Sequence, residues 1–259
     1  MPEKKTGVLS NMLFFIGFIS LLQILFLPGF VLARFFGIKD PIPTLVLSFP
    51  LSLAANYLFV FSASGLGLFN RAGSFMYVSA GMFFVVFFLW KSEGIRMVHS
   101  GSVESARKGW VKTVSRVFLL LLLLATLLPL LSKMVADNPG VLDSHDAAAS
   151  FNRWAVEWYH KGSPTFTSTY PQLIPTNWAL MYQLAGTSNI QVFAKGLMPF
   201  FSLYTLVMLL HLHACTRHWG AGLVSAVFYC WLLYSLHGSF ITAGYVDIPV
   251  TFKIGRAHV

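Results

Sequence analysis

The sequence predicts an all-α membrane protein of about six transmembrane helices, with an outer-face loop that carries two short interfacial helices. Three observations predict it. Of 259 residues, 56% are hydrophobic and only 10% charged, against roughly 25% charged in soluble domains. Six apolar runs approach the length of about 20 residues that a spanning helix needs. Between the fourth and fifth runs lies a polar island, Asp143–Tyr182, which holds Asp143, Asp146 and Glu157, three of the nine acidic residues in the chain. A lipid-buried chain concentrates polar groups where it meets water or does its work. The island is therefore the candidate functional segment.

The first run, Asn11–Phe36, is too long for the core of a cleavable signal and has no small-residue cleavage site. Its internal Pro28-Gly29 pair predicts a kink. The second, Thr44–Phe61, holds Pro50 and is followed by apolar residues to Phe69. The others are Ser74–Trp90, Val114–Val135, Gln191–Ala214 and Gly220–Ser239. The net charge of +9 is spread between these runs, which is not the pattern of a nucleic-acid binder. Cys215 and Cys230 lie at a helix end and inside an apolar run, so no disulfide is expected. The tail Lys253–Val259 (KIGRAHV) resembles the peptide encoded by a common sequencing adapter, which would confine the natural sequence to residues 1–252 and leave the protein continuing beyond them.

Lysine and arginine in short loops set orientation. The loop Lys91–Arg116 carries Lys91, Arg96, Arg107, Lys108, Lys112 and Arg116 against Glu93 and Glu104, so it is expected on the cytoplasmic side. The next run then exits and places 136–190 on the outer, periplasmic face of the inner membrane. Arg217 in the following short connection agrees with that orientation, whereas Lys4 and Lys5 fall outside, against the rule. Two crossings separate Asp146 from Asp247, so both acids share one face whichever way the chain inserts.

Within the island, Asp143 or Ser144 is placed to cap a helix starting near His145, with Asp146 in the first turn. Phe151, Trp154, Ala155 and Trp158 then form one apolar stripe, and Asp146, Ser150, Arg153 and Glu157 a polar one. Such a helix suits an interfacial position. Pro164, Pro171 and Pro175 make Gly162–Ile174 an extended loop, and Thr176 or Asn177 is placed to cap a second short helix through Tyr182 or Leu184. Chemically, Asp146 fits a general base toward an acceptor hydroxyl, since partial desolvation raises a carboxylate's basicity. Arg153 fits a phosphate oxygen, with Tyr170 beside it. Asp247, preceded by Gly244 and Tyr245, fits a sugar hydroxyl or an acceptor. The plainer reading gives Asp146 to the helix dipole and Arg153–Glu157 to an i,i+4 pair. His145 and His160 show no metal-ligand spacing, His211 and His213 sit near a helix end, and no phosphate loop or nucleophile elbow occurs.

The run HDAAASFNRWAVEWYHKGSPTFTSTYPQLIPTNWALMY, followed two spans later by GYVDIP, resembles bacterial multi-pass proteins of the GT-C glycosyltransferase superfamily. It is most similar to relatives of the lipid A galacturonosyltransferases, protein mannosyltransferases and aminoarabinose transferases. The resemblance covers about Val114–Pro249. It implies a helical core with more spans than this chain has, a polyprenyl-phosphate-linked sugar as donor, an acceptor glycan, lipid or protein, and inverting transfer on the outer face. The matching base is Asp146, with Asp143 as second choice, and the later loop acid matches Asp247. His145 stands where relatives often carry an aromatic residue. Metal need varies within the superfamily, so no cofactor is assigned. Two other classes compete: a transporter or flippase, against which the acids stand in loops rather than mid-span, and a non-catalytic assembly protein.

Overall fold

Pro28 interrupts the first apolar run as its position in the sequence predicts. In a computed structural model, which describes residues 3–92, 109–136, 142, 147–165, 171–215 and 219–237, α1 (Glu3–Leu25) gives way to α2 (Leu27–Phe35) at Phe26. Proline has no N–H to return to the carbonyl four residues back, here that of Ile24. The Asn56 side-chain amide of α3 (Pro41–Gly65) reaches that carbonyl at 3.4 Å. Ser52 Oγ accepts the Gly29 N–H at 2.8 Å. A Cβ on Gly29 would collide with the Ser48 carbonyl, so α2 and α3 approach at backbone distance, the close contact that small residues permit between membrane helices.

After α3 the chain turns into α4 (Arg71–Ser92), where Asn70 Oδ1 accepts the Gly73 N–H at 2.9 Å. Tyr77 of α4 stacks on Phe59 of α3 with ring centroids 4.0 Å apart. The outward side chains Met76, Phe83 and Trp90 of α4 are exposed. That face is apolar and is covered by no helix among the described residues. Then come α5 (Gly109–Ala136), a π-helix (Ala147–Asn152), α6 (Arg153–Lys161), α7 (Leu173–Ala185), α8 (Gln191–Cys215) and α9 (Trp219–His237). No strand occurs among the described residues.

Four stretches among the described residues are long and apolar enough to cross a membrane: Met12–Phe35, Pro43–Gly65, Arg71–Phe88 and Gln191–His211. The predicted fourth and sixth spans fold as α5 and α9, whose apolar stretches, Leu120–Met134 and Gly220–Ser235, are shorter. The helices are thus those the apolar runs predict, while four meet the length of a crossing.

Packing divides along α8. One core joins α1, α3, α6 and α7 to the first half of α8, with Ile24, Phe49, Trp178 and Leu197 fully buried. A second joins α5 and α9 to the later half of α8 through Leu130, Leu206, Ala226 and Cys230. Three contacts gather several helix ends. Gly162 abuts Ser64, Gly186 abuts the Arg71 guanidinium, and Phe193 meets Phe14 edge-on at 5.1 Å. The ends of α3, α6 and α7 and the starts of α4 and α8 therefore share one end of the bundle, called the loop end below.

Candidate functional site

The polar island enters the bundle through a π-helix rather than through one continuous α-helix. Ala147–Asn152 form the π-turn and α6 begins only at Arg153. The wider turn carries an extra residue, so the predicted polar stripe does not run unbroken from Ser150 to Arg153. The apolar stripe survives, but with a different partner. Phe151, Trp154, Ala155 and Trp158 are all buried in the main core, and Phe151 meets Trp154 edge-to-face at 5.4 Å. An interfacial helix was expected; α6 instead spends its apolar face on protein, chiefly α7. Polar ties fix it there: Trp158 Nε1 donates to Gln172 Oε1 at 3.2 Å, and Gln183 Nε2 donates to the Tyr159 carbonyl at 2.8 Å.

The second short helix is also corrected. It starts at Leu173, not at Thr176 or Asn177, and every residue from Ile174 to Ala185 is buried. Pro175 falls in its first turn, where the missing N–H costs nothing. Thr176 Oγ1 donates to the Gln172 and Leu173 carbonyls, and Asn177 Nδ2 donates to the Leu173 carbonyl at 2.7 Å and to the Leu53 carbonyl at 3.2 Å. Neither caps the helix; both are donors within the bundle. Gly186, at φ +73°, ends the helix in the left-handed region. Thirteen residues are too few to cross a bilayer, and burial on all sides rules out a surface position. α7 is a short inserted helix at the centre of the loop-end half.

A buried polar centre anchors it. Asn56 Nδ2 donates to Asn177 Oδ1 at 3.0 Å, and the Tyr77 hydroxyl donates to Asn56 Oδ1 at 3.0 Å. One turn further, the Tyr182 hydroxyl donates to Asn152 Oδ1 at 2.6 Å. Burial pushes the Tyr182 phenol above its ordinary range, which keeps it protonated and a donor.

Of the predicted site residues, Arg153 is the one described. Its side chain is 56% exposed on the outer side of α6, with Nε 3.9 Å from Glu157 Oε1. Glu157 Oε2 also accepts the Thr165 N–H at 2.9 Å. The i,i+4 pair is thus formed, and Arg153 faces away from the bundle interior. Asp143, Asp146, Tyr170, Tyr245 and Asp247, with Ser144 and His145, lie outside the described residues. Their flanks are described: Leu142 and Ala147 are both buried in the main core, and the Leu142 N–H donates to Gln191 Oε1 at 3.2 Å. His160 is exposed and stands edge-on to Tyr159. No group of three or more His, Cys, Asp or Glu able to hold a metal occurs among the described residues.

Sequence reasoning passed over Lys195. This lysine stands on α8 one turn below Gln191 and is 1% exposed. It was counted as part of an apolar span, although a charged residue inside a span is a functional candidate by default. The signal was present in its register: Pro199 four residues on and Ser202 seven residues on share its face. No family model matches the chain, and neither a curated protein nor a solved structure matches it.

Proposed function

We propose that this chain belongs to a membrane glycosyltransferase acting at the outer face of the bacterial inner membrane, with a polyprenyl-phosphate-linked sugar as donor. The carrying observation is that both flanks of the acid-bearing segment 143–146 are built into the bundle. Leu142 and Ala147 are buried, and Leu142 is tied to the start of α8. A segment anchored at both sides suits a positioned catalytic group better than a loose surface loop does. The same reading takes α5 and α9 as further crossings, making six, and puts the loop end outside.

In this reading Asp146, or Asp143 in its place, takes the proton from an acceptor hydroxyl. The acceptor oxygen bonds to the anomeric carbon as the bond from that carbon to the phosphate oxygen breaks. The polyprenyl phosphate leaves with the electron pair, the proton stays on the carboxyl group, and the anomeric centre is inverted. Tyr170, Tyr245 and Asp247 are the proposed contacts to sugar and acceptor. Arg153, on the outward face of α6, is better placed for an approaching acceptor than for a donor phosphate held within the bundle.

Buried Lys195 favours a second reading, a carrier or flippase for a lipid-linked anion. One experiment separates the two. Asp146→Asn is expected to abolish sugar transfer from polyprenyl-phosphate donors in membranes while expression and insertion stay at wild-type level. Undiminished transfer in that variant sinks the base assignment, and lipid movement without any transfer by wild type establishes the carrier.

A further inference from the structure

Gln23 of α1 and Ser74 of α4 are fully buried, and their side chains have no hydrogen-bond partner among the described residues. An unmet buried polar group costs free energy, and native proteins keep few of them. These two belong to one seam. Gln23 stands at the middle of the spanning stretch Met12–Phe35, just before the break at Pro28. Its Oε1 lies 4.0 Å from where a Cβ on Gly81 would sit, and among the described residues no other helix comes within 4 Å of that point. On α4, Ser74, Tyr77 and Gly81 recur at i, i+3 and i+7 and share one face, with Ser74 about 10 Å nearer the loop end than Gly81. Between them the Tyr77 hydroxyl donates to Asn56 Oδ1, and its oxygen remains able to accept.

The lining sets the chemistry. α3 and α7 carry no charged residue, α1 none beyond Lys5, and α4 none between Arg71 and Lys91. An ion at this depth would meet no countercharge from these helices. The Gln23 amide offers two donors and an acceptor, and the Ser74 hydroxyl donates and accepts. Hydroxyl groups, which do both, match that set, and a spacing of about 10 Å along α4 calls for more than one of them. Of the four spanning stretches α4 is the least enclosed. It covers Gln23 with a glycine, so displacing α4 opens both orphaned groups at once. Substrate sites in membrane proteins recur beside broken helices at mid-membrane depth, and the break between α1 and α2 lies there.

We infer that the seam between α1 and α4 binds a polyol, free or as the head group of a lipid, with Gln23 and Ser74 as its hydrogen-bonding groups. The site is separate from the acid-bearing segment and does not rest on the transfer reading.

The test uses the full chain in nanodiscs of phosphatidylcholine, with Gly81→Cys followed by mass spectrometry of its own peptide. Two thiol reagents of equal size are the probes, hydroxyethyl and propyl methanethiosulfonate. Phe83→Cys, on the exposed face of α4, is the reference. Gly81→Cys is expected to favour the hydroxyethyl reagent at least about fivefold more than the reference does, the scale of one neutral hydrogen bond. Adding Gln23→Leu should remove that preference. Equal preference at the two positions, no reaction at Gly81→Cys, or a preference that survives Gln23→Leu overturns the inference. Should Gly81→Cys fail to fold, Ser74→Cys, a change of one atom, carries the same comparison. Glycerol and monooleoylglycerol as competitors identify the source. Slowing by glycerol assigns the site to free polyols, slowing by monooleoylglycerol alone assigns it to lipid head groups, and slowing by neither overturns it.

Discussion

Asn56 of α3 and Asn177 of α7, 121 residues apart in sequence, meet side chain to side chain at 3.0 Å in the interior of the bundle. Each is fully buried. Each also serves a carbonyl: Asn56 that of Ile24, freed by Pro28, and Asn177 those of Leu53 and Leu173. Through this pair a helix too short to span is fixed between α1, α3 and α4.

Removing one member strands the other. Asn177→Leu is expected to destabilise the protein by about 1–3 kcal/mol, the usual cost of an orphaned buried amide. Asn56→Leu should cost a similar amount, and the double variant should cost less than the two together by about 1 kcal/mol. Unfolding of detergent-solubilised protein, followed by circular dichroism, measures all three. Strict additivity would mean that the two amides do not interact.

Gln23 presents the opposite case. It is fully buried on α1 and neither amide atom has a hydrogen-bond partner among the described residues, while Gly81 of α4 leaves room opposite its Oε1. Gln23→Leu removes an unmet desolvation cost and should raise stability by about 1–2 kcal/mol. A fall of more than about 1 kcal/mol in the same unfolding assay would show that Gln23 has a bonding partner in the membrane.

Gly29 is set by a different constraint. Any Cβ there meets the Ser48 carbonyl, and its N–H is held by Ser52 Oγ. Gly29→Ala is expected to push α2 from α3 at a cost of about 1–3 kcal/mol or more. Ser52→Ala should cost about 1 kcal/mol for the lost bond. An unchanged melting temperature for Gly29→Ala would contradict the close approach.

Tyr182 links α7 to the π-helix through Asn152 at 2.6 Å. Tyr182→Phe leaves Asn152 Oδ1 without that donor and should cost about 1–3 kcal/mol at neutral pH. Because burial raises the folded phenol above its ordinary value of 10.0, the contribution is fully present below that pH and is lost as pH rises above it. The alkaline fall in stability should therefore be shallower in Tyr182→Phe, and equal slopes above pH 10.0 would remove the assignment.

The shared loop end makes a topological prediction. Single cysteines replacing Asn70, Thr165 and Asn189 should all react with an impermeant thiol reagent from one side of the membrane, and a cysteine replacing Lys39 from the other. Transfer at the outer face further requires that the first three react in intact cells. Labelling of Asn70→Cys and Thr165→Cys from opposite sides would contradict the helix order.

By itself the sequence determined the helices and where several of them stop. Hydropathy is summed locally, so runs such as Thr44–Phe61 and Gln191–Ala214 map onto α3 and α8 with a few residues' change at their ends. Pro28 dictated a break because the missing N–H acts within one turn. The Phe151, Trp154, Ala155 and Trp158 stripe was legible as an apolar face, but not what it faces. Only the tertiary structure decided that, since membrane and protein interior look alike to an apolar side chain. The same ambiguity hid α7, whose length fits an interfacial helix as well as an inserted one. It hid Lys195 too: within one helix it is one lysine in an apolar run, and its burial is set by neighbours distant in the chain. The pairing of Asn56 with Asn177 was beyond any local pattern, because which amide meets which depends on how α3 and α7 pack.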